Sequence, residues 1–431
     1  MAIQMFIILL AGLLLSIPIA VSLGLATIYP GLMNPHFAGS IQFVIRNMVS
    51  ALDSTPILAI PMFILSGDIM TKGKISEKLF NFFAYFVGNK TAGMPIAAII
   101  TALFYGAISG SGVATTAAVG GMAIPFLVSL GYDKVYCAAL VATAGGLGVI
   151  IPPSIPFVTY GVVTGVSIGS LFIAGIFPGI LIGLSLMVYA YIYAKRNGED
   201  KEKILSKFNS LRAKGFITVF KESFWALLAP VIILGGIYSG IVTPTEAAVI
   251  SVFYSILVCL FVYKTLSAKN IMDILIGTVK SYSPIVVLLS LAIVFGRILA
   301  LLQAPVVLRD FIVMNFAGNR FLFLLVLNII LLILGMFMDV GPVIAILAPM
   351  LLPSATAIGI NPIHLGVIMV VNLAIGMVTP PFGVNLFVAS PLVKEEVMKI
   401  GIKAIPFIIS FAIALFIITY IPAISLILLH Q

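Results

Sequence analysis

An all-α polytopic membrane protein is the fold class this sequence predicts, and three observations predict it. Of its 431 residues 62% are hydrophobic and 9% charged, against roughly 25% charged in a soluble domain. So few charges cannot cover a surface that faces water. The apolar residues run on in long stretches, and about 20 of them span a bilayer as a helix, which leaves room for roughly ten to twelve spans. A β-barrel would instead alternate apolar and polar residues over segments of about 10. A mean hydropathy of +1.26 excludes disorder. Two cysteines exclude a disulfide framework and a Cys-rich metal site.

The first span is expected from Met5 to about Tyr29. It lacks a basic leader and exceeds the 7–15 apolar residues of a signal peptide, so it reads as retained. Apolar runs follow at roughly 52–71, 77–90 (mixed, with Lys78 and Asn81), 92–130, 135–165 and 170–194. After the polar stretch 195–215 come 216–242, 245–263, 270–302, 321–353, 363–392 and 403–429. This divides the chain into a first membrane half, 1–194, a basic linker, 195–215, and a second half, 216–431. Eight of the 23 Lys and Arg residues lie between Lys195 and Lys221. Short basic loops stay cytoplasmic, so the linker is expected inside. A basic loop without a basic domain also excludes nucleic acid as the reason for the net charge of +9.

Residues 91–132 carry no charge over 42 positions, too long for one crossing. Their centre, GAISGSGVATTAAVGG (Gly106–Gly121), is small and rich in hydroxyls. It reads as the tip of a re-entrant hairpin spanning about 92–130, against the plainer reading of two ordinary helices packed by small residues. Irregular backbone at membrane depth is tolerated only where protein or a water-filled cavity satisfies it. Two later runs are broken by tandem prolines, Pro152-Pro153 within 135–165 and Pro380-Pro381 within 363–392. Such pairs remove backbone donors and clash with the preceding turn, freeing carbonyls that a dehydrated cation can use.

A constant offset of 228 residues relates the halves. It carries Pro56 to Pro284, Pro125 to Pro353, Gly131 to Gly359, Gly148 to Gly376, and Pro152-Pro153 to Pro380-Pro381. It also carries Ser111 to Asp339, so a second hairpin is expected over about 321–353 with Met338–Val343 at its tip. Two repeats, each with a hairpin and a broken helix, match secondary-transporter architecture, with a substrate site near the midplane. A midplane site between facing hairpins requires the repeats to be inverted.

Asp339 is the most informative single residue. An ionisable group in an apolar run costs about 2.5–3.5 kcal/mol at the bilayer centre, so it faces a cavity or an ion, or else pairs with Arg297. Glu246 in Thr243-Pro244-Thr245-Glu246 reads as half of a capping box. Asp133-Lys134 reads as a solvated turn. His36, His364 and His430 are isolated, and Cys137 and Cys259 read as small packing residues. No Walker A sequence, HExxH, GxSxG with its histidine, or other catalytic set is present, so the chain is not read as an enzyme. Energy for uphill transport is expected from an ion gradient.

Four stretches carry a resemblance: GAISGSGVATTAAVGGMAIP, GGLGVIIPPSIPFVTYG, GIVTPTEAA and GMVTPPFGVNLFV. They resemble, in order and over essentially the whole chain, the signatures of the large membrane subunit of tripartite ATP-independent periplasmic (TRAP) transporters. The resemblance implies a Na⁺-driven, elevator-type importer of organic acids, such as a sialic acid or a C4-dicarboxylate, in the bacterial inner membrane. It implies two partners, a small four-helix membrane subunit and a periplasmic binding protein, besides the membrane lipid. It implies substrate contacts from Ser109, Ser111, Thr115, Thr116, Ser154, Asp339 and Asn385. For two or more Na⁺ sites it implies Ser111, Gly112, Gly148 and Pro152 on one side, and Met338, Gly341, Thr379 and Gly383 on the other, with Pro153 and Pro380 at the breaks. A stand-alone ion-coupled dicarboxylate carrier and a channel are the competing classes.

Overall fold

The computed structural model describes residues 1–34, 36–316 and 319–429, and among them every regular element is helical. His430 lies outside the described residues. Eight helices are long and apolar enough to cross a membrane, fewer than the ten to twelve spans expected. Much of the remaining apolar length forms helices of 10–17 residues, cut by Gly and Pro inside what read as continuous runs. The N-terminus is the first such correction. The single span expected over 5–29 is two helices, Ala2–Leu14 and Ile19–Met33, packed on each other. Ser16 turns the chain at a φ of 59° and Pro18, lacking an N–H, caps the second helix.

One set of helices, called the outer set below, packs together around Ala268–Leu301. Ile41–Leu52 and Thr55–Lys72 are bent by 62° where they meet. Ala59–Lys72 packs along Pro244–Leu257, where Ser66 Oγ donates to the Ser251 carbonyl (3.1 Å). Ala268–Leu301, with 34 residues, is about 51 Å long at 1.5 Å per residue. It packs against Ile19–Met33, Ile41–Leu52 and Ala59–Lys72. Thr243 and Glu246 form the capping box that their spacing predicts.

An inner set carries the irregular segments. Helices Gly93–Ser109 and Gly112–Ser129 pack on each other and stand where the first hairpin is expected, and Arg320–Phe337 and Val340–Ala357, joined at Met338–Asp339, stand where the second is. Lys134–Gly145 runs through a 3₁₀ turn, Gly146–Val149, and a break before Ile155–Thr164. Pro362–Gly376 and Val384–Val393 flank the second break. Lys134–Gly145 and Pro362–Gly376 are buried almost all round, as expected for helices apolar on every face. Each hairpin's second arm packs on the other half's broken helix: Val340–Ala357 on Ile155–Thr164, and Gly112–Ser129 on Val384–Val393.

The linker is more ordered than a loop. Asp200 caps Lys201–Ala213, accepting from Lys203 N (3.1 Å), and Ile204 and Phe208 are buried where this helix meets Ile75–Val87. His364, isolated in sequence, is buried between Ser425 Oγ (3.2 Å) and the Thr419 carbonyl (3.1 Å). Cys137 and Cys259 are free and buried.

Asp133 and Lys134 are more than a solvated turn. Asp133 caps its helix, accepting from Tyr136 N (2.7 Å), and Lys134 Nζ pairs with Glu395 Oε1 (2.6 Å). Lys399 Nζ also reaches Glu395 (2.8 Å). Hydrogen bonds from Lys134 and Lys399 lower the Glu395 carboxyl from the usual 4.5 to about 2. A depressed carboxylate stabilises the folded state above its unfolded pKa and loses that contribution as pH falls through the folded one. Glu395→Gln is therefore expected to lower the melting temperature in detergent at pH 7. The gap from the parent should close between about pH 4.5 and 2; a gap independent of pH would remove the cluster from the fold's stability.

Candidate functional site

A glycine builds the first tip. Gly110 takes a φ of +62°, and a Cβ there would stand 2.7 Å from the Pro153 carbonyl oxygen, so the turn requires Gly. Its carbonyl accepts from Ile155 N (3.2 Å), docking the tip on the far segment of the first broken helix. Ser111 caps Gly112–Ser129, accepting from Ala114 N (3.3 Å). The Ser109 and Thr115 hydroxyls lie 3.0 Å apart, and Thr115 donates to the Ser111 carbonyl (2.8 Å). The break lies directly against this tip. A Cβ on Gly148 would stand 2.7 Å from Ser111 O, and one on Gly106 2.8 Å from the Gly148 Cα.

The second tip has different chemistry. The chain extends at Met338, and Asp339 caps Val340–Ala357, accepting from Val340 N (2.8 Å). Behind it Gly335 and Gly376 meet backbone to backbone, a Cβ on Gly376 falling 2.5 Å from the Gly335 Cα. At the break Thr379 Oγ1 donates to Ile375 O (2.8 Å), Gly383 N to Thr379 O (3.1 Å) and Asn385 N to Met377 O (2.9 Å). The bonds Pro152–Pro153 and Pro380–Pro381 are both cis.

Both tips open on one cavity of about 470 Å³. Ser109–Ala114 line it from the first hairpin, Asp339–Pro342 from the second, and Val149, Ile155, Pro156, Thr159 and Met377 from the two broken helices. Three helices, Gly112–Ser129, Ile155–Thr164 and Val340–Ala357, begin at this wall, so their positive ends face it. The charged residues on the wall, among those described, are Asp68 and Asp339. Asp339 is exposed there and forms no ion pair among the described residues. Arg297, its expected alternative partner, donates to Asn47 Oδ1 instead.

Of the residues the resemblance implies, Ser109, Ser111, Gly112, Asp339 and Gly341 stand on the cavity wall. Thr115, Thr116, Ser154 and Asn385 stand behind it and are buried. Thr116 donates to Gly112 O (2.9 Å), Ser154 to Val149 O (2.5 Å) and Asn385 Nδ2 to Ala142 O (3.0 Å). The Thr116 and Ser154 hydroxyls are spent on holding the tip and the first break in shape, whereas Asn385 ties its helix to Lys134–Gly145 and keeps a buried Oδ1 without a partner among the described residues. Gly148, Pro152, Met338, Thr379 and Gly383 are not on that wall; Thr379 is half-buried and the other four are buried.

Sequence reasoning missed the outer set's contribution. Asp68 and Thr71 on Ala59–Lys72, and Ser281 on Ala268–Leu301, face the tips across the cavity. Asp68 accepts from Thr278 Oγ1 (2.8 Å). A lone carboxylate in an apolar run was the available signal, the one that picked out Asp339.

The tripartite ATP-independent periplasmic transporter, DctM component, matches residues 6–424. The isethionate TRAP transporter permease protein of Oleidesulfovibrio alaskensis is 43% identical over 416 residues, 96% of this chain and 64% of that protein. This chain therefore spans just under two thirds of that relative's length. The C4-dicarboxylate TRAP transporter large permease protein of Pseudomonas aeruginosa is 42% identical over 86% of this chain and 85% of its own. The sialic acid TRAP transporter large permease protein of Vibrio cholerae is 35% identical over 90% and 89%. Among solved structures, the Alcanivorax borkumensis YdaH transporter superposes with a TM-score of 0.61 at 13% identity, over 89% of this chain and 88% of that one; this is a likeness of fold. With matching motifs, a match over nearly the full length and a helical membrane fold, the chain belongs to the DctM component family of tripartite ATP-independent periplasmic transporters.

Proposed function

We propose that this protein imports an organic acid anion across the bacterial inner membrane, coupled to Na⁺, by an elevator movement of the inner helices against the outer ones. A periplasmic binding protein delivers the substrate, and a small four-helix membrane subunit accompanies the chain. The observation that carries this reading is the single cavity shared by two hairpin tips and two broken helices.

The chemistry of the wall supports the coupling. Asp68 and Asp339 repel an anion, while three helix N-termini attract one. A bound hard cation, taking oxygen ligands from hydroxyls and freed carbonyls, resolves the conflict by neutralising the substrate carboxylate. The Ser111–Gly148 and Met338–Gly383 regions offer such oxygens on either side, which supports two or more Na⁺ sites.

The helix boundaries support the repeat. Shifted by 228, Gly112–Ser129 becomes Val340–Ala357, and the Pro152–Pro153 bond becomes Pro380–Pro381. In this reading each hairpin is re-entrant and the two halves face one another about the cavity.

Reconstituted with its two partners, the chain should take up substrate only with inward Na⁺, with a Hill slope above one and indifference to ATP. Equal uptake with K⁺ on both sides would reject the coupling. Full transport by the chain alone would point to a stand-alone carrier.

A further inference from the structure

The transport site leaves one chemically distinctive surface unused. On Phe216–Tyr238, residues Phe216, Phe220 and Phe224 recur every fourth position and so form one stripe. Trp225 extends it, with successive ring centroids 5.8, 5.7 and 5.4 Å apart. Phe86 and Phe82 of Ile75–Val87 widen it, 6.0 Å from Phe216 and 6.3 Å from Phe220. Phe86, Phe216, Phe220, Phe224 and Trp225 are all exposed. The same helix buries Ser223, Ala226 and Ala229, the small residues that let helices approach closely in a membrane. The packing face is thus turned inward, and the bulky face outward suits acyl chains better than another helix.

Arg212 and Lys214 crown this stripe at the turn around Gly215, and Lys221 stands within its length between Phe220 and Phe224. Arg212, Lys214 and Lys221 are exposed. The Arg212 guanidinium lies 5.5 Å over the Tyr85 ring and 5.4 Å over Phe208. Among the described residues, neither Arg212 nor Lys221 has a carboxylate within 4.0 Å. Lys214 shares Glu222 with Lys78, at 3.9 and 3.7 Å. An excess of positive charge above an apolar aromatic strip is complementary to a phosphate with hydrocarbon beneath it. The planar fork of Arg suits phosphate oxygens.

We infer that Arg212 and Lys214 at the top of the Phe216–Trp225 stripe, with Lys221 reaching up from within it, bind an acidic phospholipid, headgroup on the cations and acyl chains along the rings. Trp225 is the only tryptophan in the chain. It lies nine residues beyond Phe216, about 14 Å along the helix, within the depth of the acyl chains. The full chain is reconstituted in phosphatidylcholine vesicles containing a minor fraction of phosphatidylglycerol, with bromine on the acyl chains of one lipid or the other. Brominated phosphatidylglycerol is expected to quench Trp225 well beyond its bulk share. Arg212→Gln or Lys221→Gln should each weaken the preference about fivefold, the equivalent of about 1 kcal/mol per basic residue near an anionic surface, whereas Lys221→Arg should keep it. Raising the salt on the parent protein should erode the preference, a test that does not depend on any variant folding. Quenching in proportion to bulk composition would overturn the assignment. Quenching by neither lipid would also overturn it, since the stripe would then touch no acyl chain.

Discussion

Asp339→Asn should reach the membrane at the parental level, remain monodisperse in detergent and lose roughly 90–99% of its transport, the effect of removing one charge-assisted hydrogen bond of about 1.5–3 kcal/mol. The structure makes this substitution a clean one. Asp339 caps Val340–Ala357 through Val340 N (2.8 Å) and has no ion-pair partner among the described residues. Asn caps helices about as well as Asp, so the variant removes the charge and keeps the cap. Asp339→Ala removes both and should also lower stability by about 1 kcal/mol. Ser111→Ala, at the matching place on the first tip, should cost transport about two- to tenfold, one neutral hydrogen bond's worth. Uptake with full activity in Asp339→Ala would remove the carboxylate from the site. Loss of expression in Asp339→Asn would instead make it a structural residue.

The second large effect concerns two places where a hairpin arm meets a broken helix backbone to backbone. A Cβ at Gly376 would stand 2.5 Å from the Gly335 Cα, and one at Gly106 2.8 Å from the Gly148 Cα. Backbone on both sides leaves nothing that can rotate away. Gly376→Ala should force the second hairpin off its broken helix, destabilising the protein by about 1–3 kcal/mol as overpacking does, and Gly376→Leu should abolish folded yield. Gly106→Ala should act similarly in the first half. Gly235 and Gly277, helical glycines with nothing within 4 Å of an added Cβ, are the controls. Their alanine variants should be neutral or stabilising by up to about 1 kcal/mol. Thermal unfolding in detergent and uptake measured together check this; an undisturbed Gly376→Ala would mean that the arm and the break separate without cost.

Composition and run length alone determined that this chain is a helical membrane protein, because a bilayer demands long uncharged segments whatever the fold. Local punctuation determined where helices yield. Gly110, the tandem prolines at 152–153 and 380–381, and the capping box at Thr243 each act within a few residues, so they were readable. The 228-residue offset marked Ser111 and Asp339 as equivalent, and both cap the second arm of a hairpin at the cavity wall. Contacts distant in sequence decided the rest. The break at Ser16–Pro18 is itself local, but that the two short helices fold back and pack on each other where the sequence reads as one span is a tertiary fact. Thr115, Thr116, Ser154 and Asn385 carry the right groups, yet each lies behind the cavity, the three hydroxyls turned to carbonyls of the first tip and break and the Asn385 amide to the Ala142 carbonyl of a neighbouring helix. Asp68 and Ser281 lie more than 200 residues apart and reach the same wall as Asp339 only when the outer helices pack on the inner ones. Residue type and spacing state what a side chain can bond. Which of its possible partners it meets, and whether it faces the cavity or the layer behind, is fixed by packing between helices that the sequence does not place side by side.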